Sequence, residues 1–193
     1  MDKNELNEAR TNPEFLKYLE ETRVSSMENK DISAMYETLD SMLVLGLDEE
    51  KINSLYEAIL ITAFENVEKI VNENKKLDLV DNNLLYVRAF YEHAIEKWSY
   101  DNFDGAKELV FVLANIIDDE ILEQALNVLL VVLAKNISLD DFYETEVNLD
   151  TNSSNEKYGY FLVDFKFIPN KFLEENKELL QEQYKKLQPL LDA

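Results

Sequence analysis

Leu109-Val110-Phe111-Val112-Leu113-Ala114 is followed, after Asp118-Asp119-Glu120, by Ile121-Leu122-Glu123-Gln124-Ala125-Leu126-Asn127-Val128-Leu129-Leu130-Val131-Val132-Leu133-Ala134, and these two runs decide the architecture. Their apolar residues point to every side of a helix rather than to one stripe. A helix of that kind belongs in the middle of a bundle or in a membrane. The longest strictly apolar run, Val128 to Ala134, is far shorter than the roughly 20 residues that span a bilayer. Two central helices are therefore expected, the second opened by acids that suit a helix N-terminus.

Working upstream, the chain repeats a different pattern, one apolar stripe per helix. Asn12-Pro13-Glu14 reads as N-cap, first-turn proline and first-turn acid, opening a helix with Phe15, Leu16 and Leu19 inward. From Asp31, residues Ile32, Met35, Tyr36, Leu39, Met42 and Leu43 recur at helical spacing until Gly46. Asp48-Glu49-Glu50 then starts a long helix carrying Ile52, Leu55, Ile59, Ala63, Val67 and Ile70. Beyond the polar stretch Asn72 to Lys76, another places Val87, Tyr91, Ala94, Ile95 and Trp98 together, and Asp101-Asn102 opens the first central helix.

Downstream the period changes. Tyr143, Thr145, Val147 and Leu149 alternate with polar residues, Thr151 to Asn155 reads as a loop, and Tyr158 to Ile168 is dense in aromatic and β-branched residues. Period two indicates strand, so a β-hairpin is expected over residues 142–168. Residues 170–191 return to helix, with Phe172, Leu179, Leu180, Tyr184 and Leu187 aligned. The expected fold class is mainly α: one domain over 1–193, with a bundle of six or seven helices over 12–137, the hairpin, and a C-terminal helix over 170–191 that packs back on the body.

Composition narrows the chemistry. The chain has no cysteine, so disulfides, zinc-thiolate sites and thiol nucleophiles are excluded. Three glycines leave no phosphate-cradling loop and no nucleophile elbow. Di-iron centres of the ferritin type need two Glu-x-x-His pairs. The single histidine, His93, has Phe90 three residues before it. Flanked by Glu92 and Glu96 on an amphipathic helix, His93 reads as a surface residue rather than a general base. Asp101-Asn102-Phe103-Asp104-Gly105 invites an EF-hand reading. With Gly105 at the sixth position, however, the first and twelfth ligands are Tyr100 and Phe111, neither of which binds calcium.

Carboxylate clusters such as Asp48-Glu49-Glu50, Asp118-Asp119-Glu120 and Glu174-Glu175 sit at starts or in first turns of expected helices. Dipole compensation accounts for them there without acid–base catalysis. Tyr86 to Leu109 faintly resembles a tetratricopeptide helix pair through Phe90, Ala94, Phe103 and Ala106. Trp98 falls one residue off that pattern, and no second copy follows near a period of 34.

Forty acidic residues against nineteen basic give a net charge of −21. Nucleic acid and anionic membranes are repelled by such a surface. The expected partner is another protein with a basic or apolar surface, and self-association as a homo-oligomer is compatible with it. No cofactor and no metal is expected. With no basic or apolar leader at Met1 to Leu6, the chain reads as cytoplasmic.

The functional expectation is a non-catalytic protein-binding module, adaptor or chaperone-like, masking an apolar or basic segment of its partner. Bacterial secretion and flagellar-export chaperones are of this general type, an analogy of charge and helix content rather than of motif. An acidic inhibitor or immunity protein against a basic nuclease or toxin is the first alternative, and an enzyme of unrecognised type the second. Because both faces of the second strand carry large apolar groups, Tyr158, Tyr160, Phe161, Val163, Phe165 and Phe167 are the candidate binding residues.

Overall fold

The computed structural model of the chain describes residues 3–148 and 157–191. It is mainly helical, with ten α-helices among those residues. They are α1 Lys3–Thr11, α2 Pro13–Asn29, α3 Ile32–Leu45, α4 Glu49–Asn72, α5 Asp81–Ser99, α6 Phe103–Ile116, α7 Glu120–Ala134, α8 Leu139–Glu146, α9 Pro169–Glu175 and α10 Lys177–Leu187, the last followed by a 3-10 turn at Gln188–Leu190. Among the described residues no helix is long and apolar enough to cross a membrane. The chain divides into two compact units, residues 1–69 and 70–193.

In the first unit, local chemistry sets each helix boundary. The Asn12 side chain accepts from the amides of Glu14 and Phe15 at 3.0 and 3.2 Å, and Pro13 supplies a preset first turn to α2. Asp31 caps α3 through the Ala34 amide, and Asp48 caps α4 through that of Lys51, both at 3.1 Å. α3 ends where Gly46 adopts φ 58°, a left-handed conformation that costs glycine little. Arg10 Nε on α1 donates to the Leu45 carbonyl at 2.6 Å, putting a cation on the exposed end of α3. The stripes of α2, α3 and α4 then bury Leu19, Met35, Tyr36, Leu39, Met42, Leu55, Ile59 and Ala63.

Glu20 fastens α2 and α4. Its carboxylate takes Arg23 in a two-point fork at 2.9 and 3.1 Å, and Lys51 Nζ at 3.0 Å. These hydrogen bonds, against a smaller opposing cost of burial, lower its carboxyl from 4.5 to about 2. A depressed folded-state value means stability that is present above pH 4.5 and lost as pH falls toward about 2. Glu20→Gln should therefore destabilise at neutral pH, with a deficit that shrinks on acidification through that window. As the pair is partly exposed, the deficit at neutrality should stay within about 1 kcal/mol. Denaturant titrations at the two ends of the window measure it, and an equal deficit at both ends would contradict the assignment.

The second unit is built around α6 and α7, with α6 packed on α5 and both central helices covered further by α10. α7 buries Leu122, Ala125, Leu126 and every residue from Val128 to Leu133. α9 also lies on α7, and α8 lies on α5. Ahead of α5, Leu77 makes an isolated parallel bridge with Ile117, its amide and carbonyl bonded to Ile116 O and Asp118 N.

Two expectations are corrected. The helices number ten among the described residues rather than six or seven. α1 precedes Pro13, the segment expected as the first strand is partly α8, and the C-terminal helix breaks at Asn176 into α9 and α10. As a result Glu174-Glu175 closes α9 instead of opening a helix.

The β-hairpin over 142–168 does not form: no strand occurs among the described residues, and the expected loop, Thr151 to Asn155, lies outside them together with the rest of residues 149–156. What remains is one isolated antiparallel bridge, Val147 with Phe165. Capping outweighed alternation. Ser138 Oγ accepts from the Asp141 amide at 3.2 Å, Asp140 and Asp141 occupy the first turn, and the helix so started buries Phe142 between Trp98 and Phe165. In residues 157–168 the buried side chains are Tyr158, Phe161 and Phe165, spaced three and four apart. Phe161 packs on α5, Phe165 on α8 and Tyr158 on the start of α7, as an irregular plug rather than alternating across a sheet.

Candidate functional site

On the second unit, α5, α8 and the segment 157–168 enclose an open groove of about 420 Å³, within the size range of ligand and side-chain pockets. Its apolar wall comes from Tyr91 and Ile95 of α5, Leu139 of α8 and Leu162 of the segment. Tyr143 and Tyr160, each 42% exposed, flank it. Glu92 and Asp140 supply carboxylates, and among the described residues neither lysine nor arginine lines it.

Tyr91, Leu162 and Tyr160 are each held in place from beneath. Tyr91 is buried, and its hydroxyl oxygen accepts the Leu162 amide proton at 2.9 Å. Burial pushes its phenol well above the ordinary range, with that amide partly opposing. The group is therefore a neutral structural anchor. Phe161 meets the Tyr91 ring edge-on at 5.2 Å with no exposed surface. Arg88, itself buried, donates to Glu92 at 2.7 Å and sets its guanidinium 4.1 Å from the centre of the Tyr160 ring.

The start of the segment is pinned by Asp119, the N-cap of α7. That carboxylate accepts from the Leu122 amide at 2.9 Å, the Tyr158 hydroxyl at 3.0 and 3.1 Å, and Lys157 Nζ at 2.6 Å. Burial works against its ionisation, but these donors outweigh burial and keep the carboxyl below its usual value. One residue thus caps a central helix and tethers the segment that forms the groove wall.

The six candidate residues separate by burial. Tyr158, Phe161 and Phe165 are buried, Val163 and Phe167 are half-buried, and Tyr160 stands at the groove. Phe165 and Phe167 stack at 5.2 Å, and Phe167 stacks on Phe172 of α9 at 4.7 Å, so this end of the segment joins the body. Tyr91, Ile95, Leu139, Asp140, Tyr143 and Leu162 were not foreseen as site residues. A signal for two of them was present: once residues 139–146 are read as helix, Asp140 and Tyr143 fall three apart on one face.

His93 lies on α5 with Nδ1 2.9 Å from Glu96 Oε2, a contact between neighbouring turns. Among the described residues no group of three or more acidic or histidine side chains is placed to hold a metal ion, and no buried side-chain polar atom lacks a hydrogen bond. No protein-family model, no curated protein and no solved structure matches the chain.

Proposed function

We propose that the chain is a non-catalytic protein-binding module of the adaptor or chaperone kind, and that the groove beside α5 and α8 is where it takes its partner. The observation that carries this reading is the groove itself. It is an apolar recess open to solvent, flanked by two half-exposed tyrosines, of which Tyr160 rests on buried Arg88. Tyrosine is over-represented where proteins meet, because it adds large contact area at a small entropic cost. A fixed recess also lowers the ordering cost of association.

The test uses the full chain as bait in a lysate of its native host, beside an Ile95→Asp variant. Ile95 is half-buried and lines the groove, so a charge there spoils the apolar wall. A protein captured by the wild type and lost with a folded Ile95→Asp supports the reading. Capture that ignores the substitution places the partner elsewhere.

The net charge of −21 favours one second reading, an acidic inhibitor of a basic enzyme. The two are separated by whether the captured partner loses an enzymatic activity when bound.

A further inference from the structure

We infer that the groove recognises one chemical class of occupant: a polypeptide segment in which a large apolar side chain lies within a few residues of lysine or arginine. The inference rests on the groove being the partner site and adds what fills it. The apolar half of the argument is the wall of Ile95, Leu139 and Leu162, which rewards a side chain that leaves water.

The cationic half comes from the rim. Glu92 is already engaged by Arg88, but Asp140 is exposed and forms no ion pair with any described residue. It stands in the first turn of α8 beside Asp141, and Glu96 follows one turn after Glu92 on α5. An acidic segment entering here meets the unpaired carboxylate of Asp140 in a chain of net −21, whereas a lysine or arginine gives Asp140 a partner. Tyr143, on the same helix, offers an aromatic surface on which a guanidinium or ammonium can rest.

The experiment titrates the isotopically labelled full chain with three short synthetic peptides, followed by amide chemical shifts at about 0.15 M salt, where charges are screened beyond about 8 Å. The first carries a leucine–tryptophan pair flanked by lysines. In the second, glutamates replace the lysines, and in the third, serines replace the apolar pair. Binding of the first alone, with shifts centred on Tyr91, Ile95 and Tyr143, is the expected result.

The decisive controls are Ile95→Asp and Tyr143→Asp, each checked for an unchanged melting profile. Both add negative charge, so mere adsorption of a cationic peptide to an acidic protein is strengthened by them. Occupation of the groove is instead weakened about ten-fold or more, as expected when an apolar contact is lost. Tyr143 is exposed, so that variant remains usable if Ile95→Asp fails to fold. Asp140→Asn should weaken the lysine peptide by about two- to five-fold, the range for an exposed ion pair.

Equal binding of the glutamate peptide overturns the cationic requirement and leaves the groove as partner site. Tighter binding of the lysine peptide to the Asp variants overturns the inference as surface adsorption. Should no peptide bind while lysate capture still depends on Ile95, the occupant class is wrong and the protein-binding reading stands. Should capture also ignore Ile95, both fall together.

Discussion

Phe161→Ser is expected to destabilise the second unit by about 3–5 kcal/mol, the range for removing a phenyl ring from a core. Phe161 has no exposed surface and packs edge-on against Tyr91, whose hydroxyl holds the Leu162 amide. The substitution leaves a cavity, places a hydroxyl in it, and frees the tyrosine that anchors the groove wall. Domains of this kind are stable by only about 5–15 kcal/mol, so a loss of this size removes a large share of the total. Urea denaturation followed by circular dichroism measures it. Tyr160→Ser is the matched control: Tyr160 is 42% exposed, and its loss should cost well under half as much. Equal effects of the two substitutions would mean that Phe161 is not buried as described.

That contrast within four residues marks where the sequence stopped being legible. Apolar content alone cannot separate Tyr158, Phe161 and Phe165, which are buried, from Tyr160, which is not. Alternation pointed to a sheet in which all of them share two faces. Spacing of three and four, together with the hydroxyl of Tyr158 reaching Asp119 across 39 positions, belongs to a plug instead. Such a contact has no local signature, because its partner is fixed by tertiary packing.

The helices were far more readable. Asn12, Asp31, Asp48 and Asp119 each cap a helix through side-chain acceptance from the backbone, chemistry written in adjacent residues. Ser138 carries the same signal, but the run after it fits a strand as well, because Tyr143, Thr145 and Val147 also satisfy period two. Eight residues are too few for periodicity to choose, and the cap chooses. The groove was out of reach for a related reason. It forms where α5, α8 and an irregular segment meet, and with α8 read as strand its three contributors, Leu139, Asp140 and Tyr143, have no common face.

Ending the chain after Ile168 is expected to cost the second unit its folded, monodisperse state. The truncation removes α9 and α10, which lie on α7. With them go the Tyr184 ring packed edge-on at 5.1 Å against fully buried Phe111, the Tyr184 hydroxyl bond to Asn127 at 2.8 Å, and the Phe172 ring stacked on Phe167. Buried Leu187 and Gln183 go as well. Each large apolar side chain withdrawn from water is worth roughly 1.5–3 kcal/mol, so losing several approaches the whole stability of a domain. The consequence is sharpened by the C-terminal half of α7, which buries every residue from Val128 to Leu133 and so has no polar side there to turn toward solvent. Size-exclusion chromatography and binding of a hydrophobic dye measure the outcome: aggregation or strong dye binding for the truncated chain, neither for the full one. A truncated protein that stays monomeric, helical and cooperative in melting would show that α9 and α10 are an added layer, and that the α7 surface beneath them is free for another protein to cover.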